Sequence, residues 1–189
     1  GWVTGSVTYG YDPNFQINEL RYAGEVLPVI YDSDGMMIQV GDIVLTRNAS
    51  NGLITSLQND DFQAVYSYNH YAELVSATMS FRQMPVYAIA YEYDALGHLI
   101  ARIETLSGTT HRWEYHYDPL GQLLTVHRDG LLVESYQYDA VGNRVAVNNS
   151  LTQTNLAPSD ITYDLDNKLL TAGTTTFTYE DGALAIQQR

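Results

Sequence analysis

One phrase is written three times between Tyr91 and Arg144: YEYDALGHL, YHYDPLGQL and YQYDAVGNR. Self-similarity at a period of roughly 20 to 50 residues constrains architecture more than any other sequence property, because each repeat must be one supersecondary unit stacked on the next. The tyrosines that open a corner at Asp, Asn or Glu are Tyr11, Tyr31, Tyr68, Tyr93, Tyr117, Tyr138, Tyr163 and Tyr179, with steps of 20, 37, 25, 24, 21, 25 and 16. The step of 37 is close to two periods, and TRNASNGLITSL (residues 46–57) lies in that gap with the Asn and Gly of the motif but without its tyrosine.

Each residue of the phrase has a physical role. Two tyrosines spaced by two share one face of a strand, while the residue between them points the other way. Asp118, Pro119, Leu120 and Gly121 fit a type I turn: Asp accepts a backbone N–H, Pro presets φ, and Gly takes the left-handed conformation that follows. The same corner is expected from Asp94 to Gly97, Asp139 to Gly142, Asp32 to Gly35, and Asp164 to Asn167. Phe15 and Ala72 stand where glycine is expected, which predicts longer or differently shaped turns there. YEDG (residues 179–182) reads as a tight Asp-Gly turn. A second, less regular set of turn signals alternates with the first, as in YAGE at 22–25, RQMP at 82–85, LSG at 106–108 and RDG at 128–130. That alternation predicts an all-β chain: a long antiparallel meander of repeated hairpins, roughly eighteen short strands, curled or spiralling because sheets beyond about ten strands rarely stay flat. The polar stretch 148–160 reads as a loop interrupting an otherwise single domain over residues 1–189.

Composition narrows the function. Sixteen tyrosines favour half-buried strands. With 22 acidic against 9 basic residues and a formal charge of −13, the chain is a poor partner for nucleic acid or anionic lipid. There is no cysteine for a disulfide or thiolate metal site, and no apolar run approaches the 18 or so residues of a membrane span. The chain opens on Gly1 without a methionine and is read as a segment of a longer protein.

The phrase Tyr-x-Tyr-Asp-x-x-Gly, as it stands at Tyr91, Tyr115 and Tyr136, resembles the YD repeats of the RHS family. In that family such repeats build the spiralling β-sheet shells of bacterial polymorphic toxins, insecticidal toxin complexes and teneurins. The resemblance implies a scaffold in a secreted or cell-surface protein and neither an enzyme nor a cofactor. Its partners would be other repeats of the parent chain, or copies of the chain joined through sheet edges. DPLGQL (residues 118–123) lies inside an ordinary repeat, and nothing marks a self-cleavage segment or a toxic tail.

The remaining chemistry-bearing residues are weak candidates. His70, His98, His111, His116 and His127 show no metal-binding or HExxH spacing. Ser67 and Ser135 lack a nucleophile elbow. The acidic pairs Asp32 with Asp34, Asp60 with Asp61 and Asp164 with Asp166 fit turn capping, since no turn offers the six to eight oxygens that calcium takes. Tyr91, Tyr93, Trp113, Tyr115, Tyr117, Tyr136 and Tyr138 offer a stacking surface for a glycan or a cell-surface protein, the rival to their role as the sheet's own packing.

Overall fold

The computed structural model describes residues 5–180 and 183–188. Nineteen β-strands lie among the described residues. The first ten are β1 (Val7–Tyr11), β2 (Ile17–Tyr22), β3 (Glu25–Tyr31), β4 (Met37–Val40), β5 (Ile43–Arg47), β6 (Ile54–Gln58), β7 (Phe62–Tyr68), β8 (Leu74–Phe81), β9 (Met84–Tyr93) and β10 (Leu99–Leu106). They continue as β11 (Thr109–Tyr117), β12 (Leu123–Arg128), β13 (Leu131–Tyr138), β14 (Arg144–Asn149), β15 (Thr154–Leu156), β16 (Ile161–Tyr163), β17 (Leu169–Ala172), β18 (Thr175–Glu180) and β19 (Ala183–Gln188). Fifteen strands follow one another in chain order in one antiparallel sheet, β1 to β15, and β16 to β19 form a second sheet in the same manner. The expected all-β meander is therefore present. No helix among the described residues is long and apolar enough to cross a membrane.

The chain divides into two compact units, Gly1–Ala90 with Glu104–Thr110, and Tyr91–Ile103 with His111–Arg189. In the first, the buried apolar residues are Val29, Ala64, Ala77 and Ile89; in the second, Ala101, Val126, Val133, Ala146 and Ile161. The most buried positions are thus small side chains, and no large side chain is fully buried among the described residues. The ladder explains this: Tyr66 lies directly across from Ala77 and Tyr115 across from Val126, so a half-buried ring shields its small cross-strand neighbour from water.

Eight of the hairpins carry a second regularity. In the β11–β12 hairpin the register slips immediately before the tyrosine: His116 faces Thr125, yet Tyr117 faces Leu123, leaving Leu124 as an extra residue. The same slip occurs at Tyr11, Tyr31, Arg47, Tyr68, Tyr138, Tyr163 and Tyr179. A bulge repeated in register adds twist to the same place in each hairpin.

The stretch 148–160 contains the short strand β15, whose Leu156, Asn155 and Thr154 pair with Val147, Asn148 and Asn149. The first sheet ends there. The tight turn read at residues 179–182 falls partly outside the described residues.

Candidate functional site

The recurring corner is built by one carboxylate. Asp118 Oδ1 accepts hydrogen bonds from the backbone N–H of Leu120 and of Gln122, both at 2.9 Å, and the Gly121 N–H closes the turn on the Asp118 carbonyl at 3.0 Å. Asp32, Asp94, Asp139 and Asp164 make the equivalent pair of side-chain contacts. Gly35, Gly97, Gly121 and Gly142 all have positive φ, from 76° to 91°, and Asn167 has φ 61°. Pro119 occupies the second corner position.

The expectation that Phe15 and Ala72 force a different turn is corrected. Phe15 (φ 62°) and Ala72 (φ 66°) adopt the left-handed conformation themselves and donate to the carbonyls of Asp12 and Asn69 at 3.0 and 3.1 Å. The Asp12 and Asn69 side chains also cap two backbone N–H groups each. The cap and closing bonds together offset a strain of about 1–2 kcal/mol. The turn that does lengthen is the one at Asn48, where the closing bond comes from Gly52, four residues on, at 2.8 Å.

Along the other edge, four turns hold two consecutive residues at positive φ: Ala23–Gly24, Arg82–Gln83, Ser107–Gly108 and Asp129–Gly130. These are type I′ two-residue hairpins, whose twist matches that of the strands. The set that looks irregular in sequence is largely one geometry.

In six repeats the tyrosine that opens the corner has a task beyond packing. Its phenolic hydroxyl donates to the carbonyl of the first residue in the strand that follows the preceding turn. Tyr31 reaches Ile17 (2.8 Å), Tyr68 reaches Ile54 (2.9 Å), Tyr117 reaches Leu99 (2.8 Å) and Tyr138 reaches Leu123 (2.9 Å). Tyr163 reaches Arg144 (2.8 Å), tying β16 of the second sheet to β14 of the first, and Tyr179 reaches Leu169 (3.0 Å). In the repeat that lacks the tyrosine, the Arg47 guanidinium takes its place and contacts the corresponding Met37 carbonyl at 3.3 and 3.4 Å. The only signal of this in the sequence is that the position is Tyr in every repeat but the one with Arg47, and never Phe.

The residues considered for ligand stacking, Tyr91, Tyr93, Trp113, Tyr115, Tyr117, Tyr136 and Tyr138, are all half-buried. The Tyr91 and Tyr93 rings lie 6.4 Å apart, edge-tilted. Trp113, on β11, is flanked from the strands on its two sides: the guanidinium of Arg102 on β10 lies 4.9 Å from the ring centroid and that of Arg128 on β12 lies 5.2 Å away. Sequence reasoning missed this stack, since the three residues are distant in the chain and meet only through the register. His98 stacks on the Tyr117 ring at 5.0 Å while its Nδ1 lies 2.9 Å from Asp94 Oδ2, and this contact holds the Asp94 carboxyl below its ordinary range. Tyr136 carries Arg144 over its ring and donates to Glu134, which also accepts from Asn149. Burial, and then the Glu134 hydrogen bond, push the Tyr136 phenol up to about 12.

The histidines are scattered: His111 contacts Asp129 at 2.7 Å, and His116 meets His127 edge-on at 5.1 Å. Among the described residues no group of three His, Asp or Glu side chains comes together in a way that could hold a metal ion.

A family model for the Teneurin YD-shell matches residues 1–189. Teneurin-m of Drosophila melanogaster is 24% identical over 187 residues, spanning 96% of this chain and 7% of its own length. Teneurin-3 of Mus musculus is 27% identical over 199 residues, spanning 97% and 7%. The Photorhabdus luminescens Tc holotoxin pore shares the fold, with a TM-score of 0.66 at 17% identity over 94% of this chain and 12% of that chain. The TcdB2-TccC3-TEV crystal structure gives a TM-score of 0.67 at 17% identity over 95% and 12%. The YD phrase, its bulged hairpins and the family match over the whole chain agree: this chain belongs to the Teneurin YD-shell family.

Proposed function

We propose that the chain is a non-catalytic wall segment of a YD-repeat shell, part of a secreted or cell-surface protein much longer than itself. The observation that carries this reading is the hydroxyl staple. Tyr31, Tyr68, Tyr117, Tyr138, Tyr163 and Tyr179 commit their hydrogen-bonding tips to the backbone of the preceding repeat. A hydroxyl that donates to a backbone carbonyl has no second proton to donate to a ligand, and these hold one hairpin to the next. The aromatic faces are similarly occupied, Trp113 by two guanidinium groups and Tyr117 by His98.

The acidic surface, at −13, favours a solvated wall by self-repulsion. A glycan-binding module is the competing reading. A glycan array probed with the chain and with its Tyr115→Ala/Tyr117→Ala variant separates the two. The wall reading expects no glycan retained above background. Specific binding that is lost in a folded variant would replace it with the binding module.

A further inference from the structure

The repeat that lacks its tyrosine carries a reactive dipeptide at its corner. Asn51 is the only asparagine in the chain that precedes glycine. It lies with Asn48, Ala49 and Ser50 on the exposed part of the corner that lengthens. Its side chain folds back on the backbone, where Asn51 Oδ1 accepts the Leu53 N–H at 3.1 Å. That bond closes a ring of atoms containing both the Asn51 amide carbon and the Gly52 nitrogen, so electrophile and nucleophile share one tight turn. It also sets an N–H donor on the oxygen where negative charge develops when that carbon is attacked. Asn48, Asn59, Asn69 and Asn149 make the same bond, to the backbone N–H of Ser50, Asp61, Tyr71 and Leu151. Each of those four is followed by a residue whose Cβ crowds the approach, whereas Gly52 has none.

We propose that Asn51 is a site of spontaneous covalent modification whose product unlocks this corner. The Gly52 N–H is tied to the Asn48 carbonyl at 2.8 Å, and transient opening of the exposed corner releases it. The Gly52 nitrogen then gives its proton to water and bonds to the Asn51 amide carbon. The side-chain nitrogen takes up a proton and leaves as ammonia. Water opens the resulting cyclic imide at either carbonyl, returning the proton to the Gly52 nitrogen. The product is aspartate or, with the main chain rerouted through the side-chain carbon, isoaspartate. Water is consumed and ammonia released, with no oxidant, reductant or enzyme.

Isoaspartate strikes this corner at its one substitute staple. The added main-chain carbon displaces Gly52, whose carbonyl accepts from Arg47 Nη1 at 3.0 Å. Arg47 holds the Met37 carbonyl of β4 at 3.3 and 3.4 Å in place of the absent tyrosine. Moving Gly52 therefore breaks the closing bond to Asn48 and the anchor of the guanidinium together.

The test is to age the full chain in neutral buffer at physiological temperature and follow each asparagine by peptide mapping, with chromatography that separates isoaspartate from aspartate. Acid forms should accumulate at Asn51 at least about tenfold faster than at Asn48, Asn59, Asn69 or Asn149, with isoaspartate the larger product. Gly52→Ala should bring Asn51 down to the rate of those four, and the Asn51→Gln chain should form no isoaspartate there. In the aged chain the Asn48 and Gly52 amides should exchange hydrogen at least about tenfold faster than in the fresh chain or in aged Asn51→Gln. Conversion at Asn51 no faster than at the other four, or aspartate as its sole product, overturns the site. Isoaspartate at Asn51 with unchanged exchange at Asn48 and Gly52 overturns the unlocking.

Discussion

The phenolic hydroxyl of Tyr138 donates to the carbonyl oxygen of Leu123 at 2.9 Å, joining the start of one turn to the strand that leaves the turn before it. Leu123 is also the residue that Tyr117 faces across the bulge. Six repeats are therefore held to their predecessors by the ladder and by a tyrosine hydroxyl bond that lands at the same point of the preceding hairpin. In a sheet whose elements touch mainly their chain neighbours, such ties set how cooperatively the repeats fold.

Tyr138→Phe removes that bond while keeping the ring. The expected cost is about 1 kcal/mol, the net worth of one hydrogen bond, with a further contribution if the half-buried Leu123 carbonyl is left without a partner. Urea denaturation at neutral pH measures it. An unchanged midpoint would reduce the tyrosine to a packing group.

The left-handed corner can be relieved or aggravated. Phe15 is 88% exposed at φ 62°, so Phe15→Gly loses little packing and releases backbone strain. Strain of about 1–2 kcal/mol outweighs the roughly 0.5–1 kcal/mol that glycine gains in unfolded-state freedom, and the variant should be slightly more stable. Gly121→Val goes the other way by at least about 1–2 kcal/mol. A Cβ at Gly121, besides being strained at φ 80°, would stand 3.0 Å from His98 Nε2. Thermal unfolding of the two variants should move in opposite directions.

The corner was legible in the sequence because its parts are local. Asp118, Pro119 and Gly121 act on backbone within four residues, and each has one physical reason to be what it is. Phe15 and Ala72 misled for the same reason: their penalty is local, but the bonds that offset it include a strand-closing pair the sequence does not display. The staple was illegible because its acceptor is a backbone carbonyl, which leaves no mark on the residue that supplies it, as the variety of Ile17, Leu99 and Arg144 at that place shows. In residues 46–57, where the tyrosine is missing, Arg47 performs the tyrosine's contact with a different donor. The Arg102–Trp113–Arg128 stack depends on register across three strands, and a one-residue slip would have dispersed it.

Acid should weaken the corners. The His98 hydrogen bond holds Asp94 below its ordinary value of 3.8, and the Arg112 backbone N–H followed by His111 does the same for Asp129. A depressed carboxyl contributes stability above its unfolded pKa and loses it as pH falls through the folded one, so the loss begins below 3.8 and deepens toward stronger acid. Thermal midpoints followed from neutral pH into that range should decline, and Asp94→Asn should make the decline shallower. A flat acid profile in the unsubstituted chain would contradict the depressed values.

Alkali probes the opposite sign at Tyr136. Burial, then the hydrogen bond to Glu134, raise its phenol from 10.0 to about 12. A group whose folded pKa is raised contributes stability in full below its unfolded pKa and loses it as pH climbs through the folded value, a window from 10.0 to about 12. Phenolate absorbance during alkaline titration should show a late component whose amplitude Tyr136→Phe lowers by one phenol. Glu134→Gln should draw the same component back toward 10.0, since the neutral amide no longer opposes the phenolate charge. Burial raises Tyr117 and Tyr138 as well, so the readout is the amplitude: a late component undiminished in Tyr136→Phe would mean that Tyr136 is not among the raised phenols.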